Sequence, residues 1–264
     1  MYRGKLDADV INNVEVREHV IARDAYRADL AFIHDAGFGG LAHSAADELL
    51  GQLDRAKVTA GTVVELGCGS GILSEKVAQA GFDVVGFDIS TAMVALARKR
   101  VPKGKFHARS FLGARLPRAV AVVAIGEVFN YLFDVKNSER RLSAFFRRVY
   151  DALTPAGLFL FDVAGPGRAG PAKVTRGFTE TGDWTCLYEA AEDPLRRRLT
   201  RTITTFRRRG ATYRRDHEVH ELQLIAPAIV LKQLEQAGFR AGKLNHYAAF
   251  KFPAGWTACL ARKT

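Results

Sequence analysis

The stretch Val63-Val64-Glu65-Leu66-Gly67-Cys68-Gly69-Ser70-Gly71 constrains this chain more than any other, because an apolar strand pattern runs straight into a glycine-rich turn and then into a helical pattern. Such a turn lets the backbone reverse tightly and lets a ligand approach without meeting a Cβ atom. It opens a longer alternation. Short β-branched runs predict strands at 62–66, 83–88, 105–109, 119–125 and 157–163, and helical spacing predicts helices near 71–80, 91–100 and 138–153. Strands and helices in this order build a parallel sheet with helices on both faces, an α/β architecture. At 264 residues the chain suits one such core with a decorating insertion.

The spacing of the turn narrows the ligand. A dinucleotide fingerprint needs GxGxxG, whose third glycine would fall at Ile72, whereas this turn is GxGxG with an acid two residues before it. No Gly-Lys-Ser/Thr follows, so it is not a P-loop. About twenty residues on, a second strand ends in Gly86-Phe87-Asp88-Ile89-Ser90, which sets a carboxylate at the strand tip where a ribose diol would lie. Two acids beside the glycines disfavour a pyrophosphate and suit a cationic nucleoside with free ribose hydroxyls.

These residues resemble the class I S-adenosylmethionine-dependent methyltransferases over roughly residues 55–163 and again over the terminal helix and strands. The resemblance implies a Rossmann-like, doubly wound seven-stranded sheet in the order 3-2-1-4-5-7-6. It implies S-adenosylmethionine as cofactor and S-adenosylhomocysteine as product. By the same likeness the Gly67-Cys68-Gly69-Ser70-Gly71 turn would face the methionine part, with Glu65 orienting that end. Asp88 would bind the ribose, and Ile89 and Met93 would flank the adenine. Many members carry an acid after the third strand for the adenine amine; here Ser110 and Phe111 stand instead, leaving a hydroxyl and a backbone group for that contact. Gly126, Glu127 and the following Val128-Phe129-Asn130-Tyr131 would lie beside the sulfonium and the substrate. Tyr26 would close over the cofactor's carboxylate, although it also fits an apolar helical stripe with Leu30 and Ile33.

Methyl transfer is an in-line displacement, so most of its acceleration can come from positioning, and a base is needed only if the acceptor must lose a proton. The candidates are Glu127, Tyr131 and His34. Each has a plainer reading: Glu127 as a helix start or cofactor-amine contact, Tyr131 as a core aromatic, His34 as a packing residue. Asp35 beside His34 would orient the imidazole and raise its pKa. His217 and His220, three apart on a strand, point to opposite faces, so at most one meets the cleft.

Three regions follow. Residues 1–57 read as an N-terminal helical cap, with Val10 and Val14 beginning an apolar stripe and Gly37 to Gly40 breaking it; 58–163 and 227–264 read as the core; 164–226 reads as an antiparallel β insertion, a lid or dimer contact. Within the insertion, strands are expected at 184–188, 199–206 and 217–225, with turns at Glu192-Asp193-Pro194 and Arg209-Gly210; a helix at 227–237 and strands near 241–248 and 256–262 finish the chain. The insertion's arginines, among them Arg201, Arg207 and Arg214, read as a solvated face before they read as a carboxylate or phosphate site.

The expected activity is methylation of nitrogen or oxygen on a small molecule by a monomer or homodimer. A net charge of +11 raises an RNA or protein methyltransferase as an alternative, with nucleic acid as partner. Against it, the fourth strand is followed by neither Asn/Asp-Pro-Pro-aromatic nor a cysteine. A non-catalytic cofactor binder is a third reading, and the missing third glycine sets aside an NAD(P)-linked reductase. The cysteines Cys68, Cys186 and Cys259 are too far apart for a zinc or disulfide pattern, no ligand spacing predicts a metal, and no run suits a membrane span, so a cytoplasmic location is expected.

Overall fold

The computed structural model describes residues 25–134 and 137–264, so Val10 and Val14 lie outside the described residues. Strands β1 (Thr62–Leu66), β2 (Asp83–Asp88), β3 (Lys105–Ala108), β4 (Ala119–Ala124) and β5 (Leu153–Ala164) pair in parallel in the order 3-2-1-4-5. Four insertion strands follow, β6 (Val174–Glu180), β7 (Trp184–Asp193), β8 (Arg198–Arg209) and β9 (Thr212–Gln223), forming a separate antiparallel sheet in sequence order. The chain then returns through β10 (Phe239–Leu244), a hairpin of β11 (His246–Tyr247) and β12 (Phe250–Lys251), and β13 (Trp256–Lys263). Because β13 inserts antiparallel between β5 and β10, the main sheet reads 3-2-1-4-5-13-10, which is the expected seven-stranded order once insertion and hairpin strands are set aside.

Both faces of this sheet are covered. Helices α2 (Gly40–Arg55), α3 (Ile72–Gln79) and α4 (Thr91–Arg100) bury Leu49, Leu53, Leu73, Val77, Val94 and Ala97 against one face. Helices α5 (Glu139–Ala152) and α6 (Pro227–Gln236) cover the other, where Phe129, Phe145, Phe146, Phe159 and Phe161 form a ring cluster with centroids 4.4–6.2 Å apart. Rings at such distances in edge and tilted contacts add stability beyond their buried area. α2 is therefore a layer of the sandwich. Among the described residues of the expected cap, α1 (Ala28–Gly37) and the two residues before it reach across to the insertion, where Leu30 and Ile33 pack with Trp184, Cys186 and Ile203 and the Tyr26 and Arg27 N–H groups meet Glu218.

Several boundaries differ from expectation for visible reasons. β5 runs from Leu153 to Ala164, beyond both ends of the expected 157–163, and carries Asp162 inside it, paired in register with Ala258 of β13. β6 was not foreseen; its residues are mostly exposed and carry little alternation. β7 runs through Glu192 and Asp193, moving the turn to Pro194–Arg197. The strand expected near 241–248 is divided by the β11–β12 hairpin.

Candidate active site

The Gly67–Gly71 turn leaves the carboxyl end of β1 and enters α3. Gly71 caps that helix at φ 80°, and a Cβ there would stand 3.1 Å from the Ala97 backbone, so the turn and the close approach of α4 both require glycine. Gly69, at φ 50°, is different. A Cβ there would meet only the Met93 sulfur, 4.0 Å away, and would otherwise project into the cleft, so this glycine keeps a cradle open. The Gly69 N–H donates to Asp88 Oδ2 at 2.9 Å and the Ser90 N–H to Oδ1 at 2.8 Å. Burial raises the Asp88 carboxyl, and those two backbone donors oppose the rise. Glu65, beneath the turn, accepts from the Ser74 hydroxyl; burial pushes it up to about 8 against that hydrogen bond, so it is largely protonated at neutral pH.

One cleft is lined by Glu65, Gly67, Cys68, Gly69, Asp88, Ile89, Met93, Ser110, Phe111 and Gly126 on the sheet side, and by Tyr26, His34, Tyr131 and Phe133 on the other. Gly71 lines no part of it. Ser110 hydrogen-bonds Asp134, which also lines the cleft, so a carboxylate does stand beside the third-strand loop, delivered from 24 residues away. That acid was missed because nothing local to β3 announces it.

Beyond β4 the chain makes a tight loop held by two buried polar residues. Asp162 accepts from the Gly126 N–H (3.0 Å), the Glu127 N–H (2.6 Å), Trp256 Nε1 (2.8 Å) and the Tyr247 hydroxyl (3.3 Å), and burial raises it to about 6 against those donors. Asn130 donates to the Ala164 and Gln223 carbonyls at 2.8 and 2.6 Å and accepts from the Ala164 N–H at 2.9 Å, stitching the loop to β5 and β9. In this loop Glu127 sits at φ 62°, a costly conformation for a non-glycine.

The base candidates fare differently. Glu127 begins no helix and does not line the cleft; it is buried, with Oε1 bound to Arg168 and Oε2 to Arg201, each at 2.5 Å. Burial pulls its carboxyl upward, but the guanidiniums of Arg201 and Arg168 outweigh it and hold it below the ordinary range. With both oxygens occupied, Glu127 is a poor proton acceptor, and the base reading is corrected to an anchor for two arginines. His34 does face the cleft, but Asp35 pairs with Arg100 at 2.5 Å instead of orienting it. Burial then takes the imidazole down to about 4 in spite of Asp35, the opposite of the expected rise, and its buried Nδ1 has no hydrogen-bond partner among the described residues. Tyr26 lies before α1, at φ 52°, rather than in its stripe; its N–H and that of Arg27 donate to Glu218 at 2.8 Å, and its carbonyl accepts from Ser90 Oγ. Tyr131 opposes it, hydroxyl to hydroxyl at 3.1 Å.

The insertion's arginines are the largest departure. Arg201 reaches Glu127 and Tyr131 with 16% of its side chain exposed, and Arg207 and Arg214 converge on Asp29 of α1, which is 2% exposed. Arg196 and Arg208 do face outward, at 83% and 54%. As the parity argument requires, His220 is buried against Tyr26 and Phe133, while His217 pairs with Thr204 at the exposed surface. Among the described residues no group of three or more His, Cys, Asp or Glu is arranged to hold a metal, and no helix is long and apolar enough to cross a membrane.

The pattern of a methyltransferase domain family matches residues 63–157, from the first strand to the start of the fifth. A putative methyltransferase, YqeM, of Bacillus subtilis is 23% identical over 213 residues, 78% of this chain and 84% of its own. An S-adenosylmethionine-dependent methyltransferase from Clostridium acetobutylicum superposes with a TM-score of 0.75 at 17% identity, covering 89% of this chain and 97% of its own. CalS10, an amino pentose methyltransferase from Micromonospora echinaspora solved with S-adenosylmethionine bound, superposes with a TM-score of 0.71 at 19% identity, covering 88% and 97%. Residues 63–157 thus match a methyltransferase domain family, and with the glycine turn, the strand-tip acid and the antiparallel seventh strand in place the chain has the fold of the S-adenosylmethionine-dependent methyltransferases it superposes on.

Proposed function

We propose that this enzyme methylates nitrogen or oxygen of a small molecule held between the strand tips and the inserted sheet. The observation that carries the proposal is that a single cleft joins the glycine cradle and Asp88 to an aromatic chamber formed by Tyr26, Tyr131 and Phe133. At the cradle end the Gly67–Gly71 turn and Glu65 would hold the methionine part, Asp88 the ribose diol, Ile89 and Met93 the adenine faces, and Ser110 with Asp134 the adenine edge. S-Adenosylmethionine supplies a methyl group made electrophilic by the sulfonium. The residues around the chamber fix the acceptor at attacking distance, a contribution worth up to about 7–11 kcal/mol where geometry is well set.

The inward arginines support a small acceptor over a nucleic acid. Arg201 and Arg207, 16% and 18% exposed, are engaged by Glu127 and Asp29, so this part of the positive charge holds the fold and is withdrawn from a phosphate surface. The small-molecule activity in the description of CalS10 points the same way.

The test is calorimetric titration with S-adenosylmethionine and S-adenosylhomocysteine. Binding by the wild type should weaken about 10- to 100-fold in Asp88→Ala, the 1.5–3 kcal/mol of a charge-assisted hydrogen bond. A folded wild type that binds neither ligand overturns the assignment.

A further inference from the structure

At the acceptor end, Arg201 Nη1 lies 3.1 Å from the Tyr131 hydroxyl, which lies 3.1 Å from that of Tyr26. A guanidinium has donors only, so Arg201 donates to the Tyr131 oxygen. The two tyrosines hold two hydroxyl protons and their mutual bond uses one. Whichever way that bond runs, one O–H remains to donate to a ligand beside the pair.

The surroundings favour a ligand that accepts. Glu127 is occupied by two guanidiniums, and Glu218 by the Tyr26 and Arg27 N–H groups and by His220 Nε2 at 2.8 Å. Neither lines the cleft, and the acids that do, Glu65, Asp88 and Asp134, stand at the cradle end or beside Ser110. His34 is uncharged at neutral pH. The chamber therefore presents a hydroxyl donor with a cation behind it, flanked by flat walls, since Phe133 stacks on Tyr131 at 4.8 Å and 13°. Among the described residues the hydroxyl pair is bonded to Arg201 and to no carboxylate.

We propose that the acceptor is an acidic hydroxyl on an unsaturated carbon, a phenol or enol, bound as its oxyanion by the Tyr26–Tyr131 hydroxyl pair with Arg201 positioned behind it. This deepens the small-molecule reading above and rests on it. An acceptor bound as oxyanion has already left its proton in solvent, so no general base is required, in keeping with the loss of Glu127 as a candidate. The flat rings select a planar acceptor, and the leftover O–H selects its charged oxygen.

The probe is p-nitrophenol, whose phenolate is coloured, titrated against pH in the presence of saturating S-adenosylhomocysteine. Bound probe should ionise at least about one pH unit below free probe, a tenfold preference for the anion. Tyr131→Phe should shrink that shift while calorimetry shows S-adenosylhomocysteine binding unchanged, and Tyr26→Phe should shrink it as well. Probe that binds with an unshifted or raised pKa overturns the proposal. So does protein that binds S-adenosylhomocysteine but takes up benzylamine in preference to the phenol. Failure to bind S-adenosylhomocysteine at all would instead overturn the parent reading.

Discussion

The two ends of the cleft are built by different means. The cradle end is a matter of backbone and near neighbours: Gly69, Asp88, Ser90 and Met93 lie within 25 residues, and the decisive contacts are N–H groups on one carboxylate. The acceptor end is assembled from side chains that meet across much of the chain, with Arg201 74 residues from Glu127 and Tyr26 192 from Glu218, and it is fastened by charge. A strand-turn-helix can specify the first in one stretch of sequence. The second exists only once the inserted sheet docks on the loop after β4, where Gln223 and Leu132 exchange backbone hydrogen bonds with Asn130 and Glu221.

If charge fastens the acceptor end, breaking one member should be severe. Arg201→Met leaves Glu127, 2% exposed, with a single partner, and removing one side of a buried ion pair costs about 3–5 kcal/mol. Urea unfolding should show a midpoint lowered accordingly. A loss below about 1 kcal/mol would mean that Arg168, stacked on Trp256 at 4.4 Å, already suffices for Glu127.

The same contrast explains what was legible beforehand. The sheet order, the glycine turn and Asp88 follow from local periodicity and spacing. Asp162 was readable only as an acid at the end of an apolar run; its grip on Gly126, Glu127, Trp256 and Tyr247 depends on β13 pairing beside it. Arginines in an alternating strand look alike whether they face water or a buried acid, and only the docking of α1 distinguishes Arg207 and Arg214 from Arg208. Tyr26 fits a helical stripe by spacing, yet Glu218 draws it out of the helix.

At the cradle end the expected signature is pH rather than rupture. Glu65 is raised from an ordinary 4.5 to about 8 by burial, so between those values the folded protein holds a proton that the unfolded chain has released. Stability contributed by the protonated acid is therefore lost as pH rises from about 4.5 through 8, a decline of up to a few kcal/mol. Glu65→Gln, which keeps a partner for Ser74, should flatten unfolding free energy across that window. An equally steep slope in the variant would place the proton elsewhere, with Asp162, raised to about 6, the next to test.

The smallest effect concerns the seam between α1 and the inserted sheet. Asp29 is nearly inaccessible, and its carboxylate accepts from Arg207, Arg209 and Arg214, with the Arg214 bond foremost in holding it below the usual carboxylate range. Two of those arginines are about half exposed, so after Asp29→Ala they regain water, and the cost should be only about 1–2 kcal/mol instead of the several expected at Arg201. That cost should be local. α1 begins two residues after Tyr26 and is tied to the sheet through the Leu30 and Ile33 packing on Trp184 and Ile203, through Asp29, through Glu218 and Asp216 at its start, and through Phe32 under Arg207. Hydrogen exchange at the amides of α1 should therefore quicken about 5- to 30-fold, while those of β1 and β4 keep their wild-type protection. Uniform acceleration would mean that the seam belongs to the global fold. Acceleration confined to α1 would mean that this helix opens as a unit over a glycine turn that stays formed.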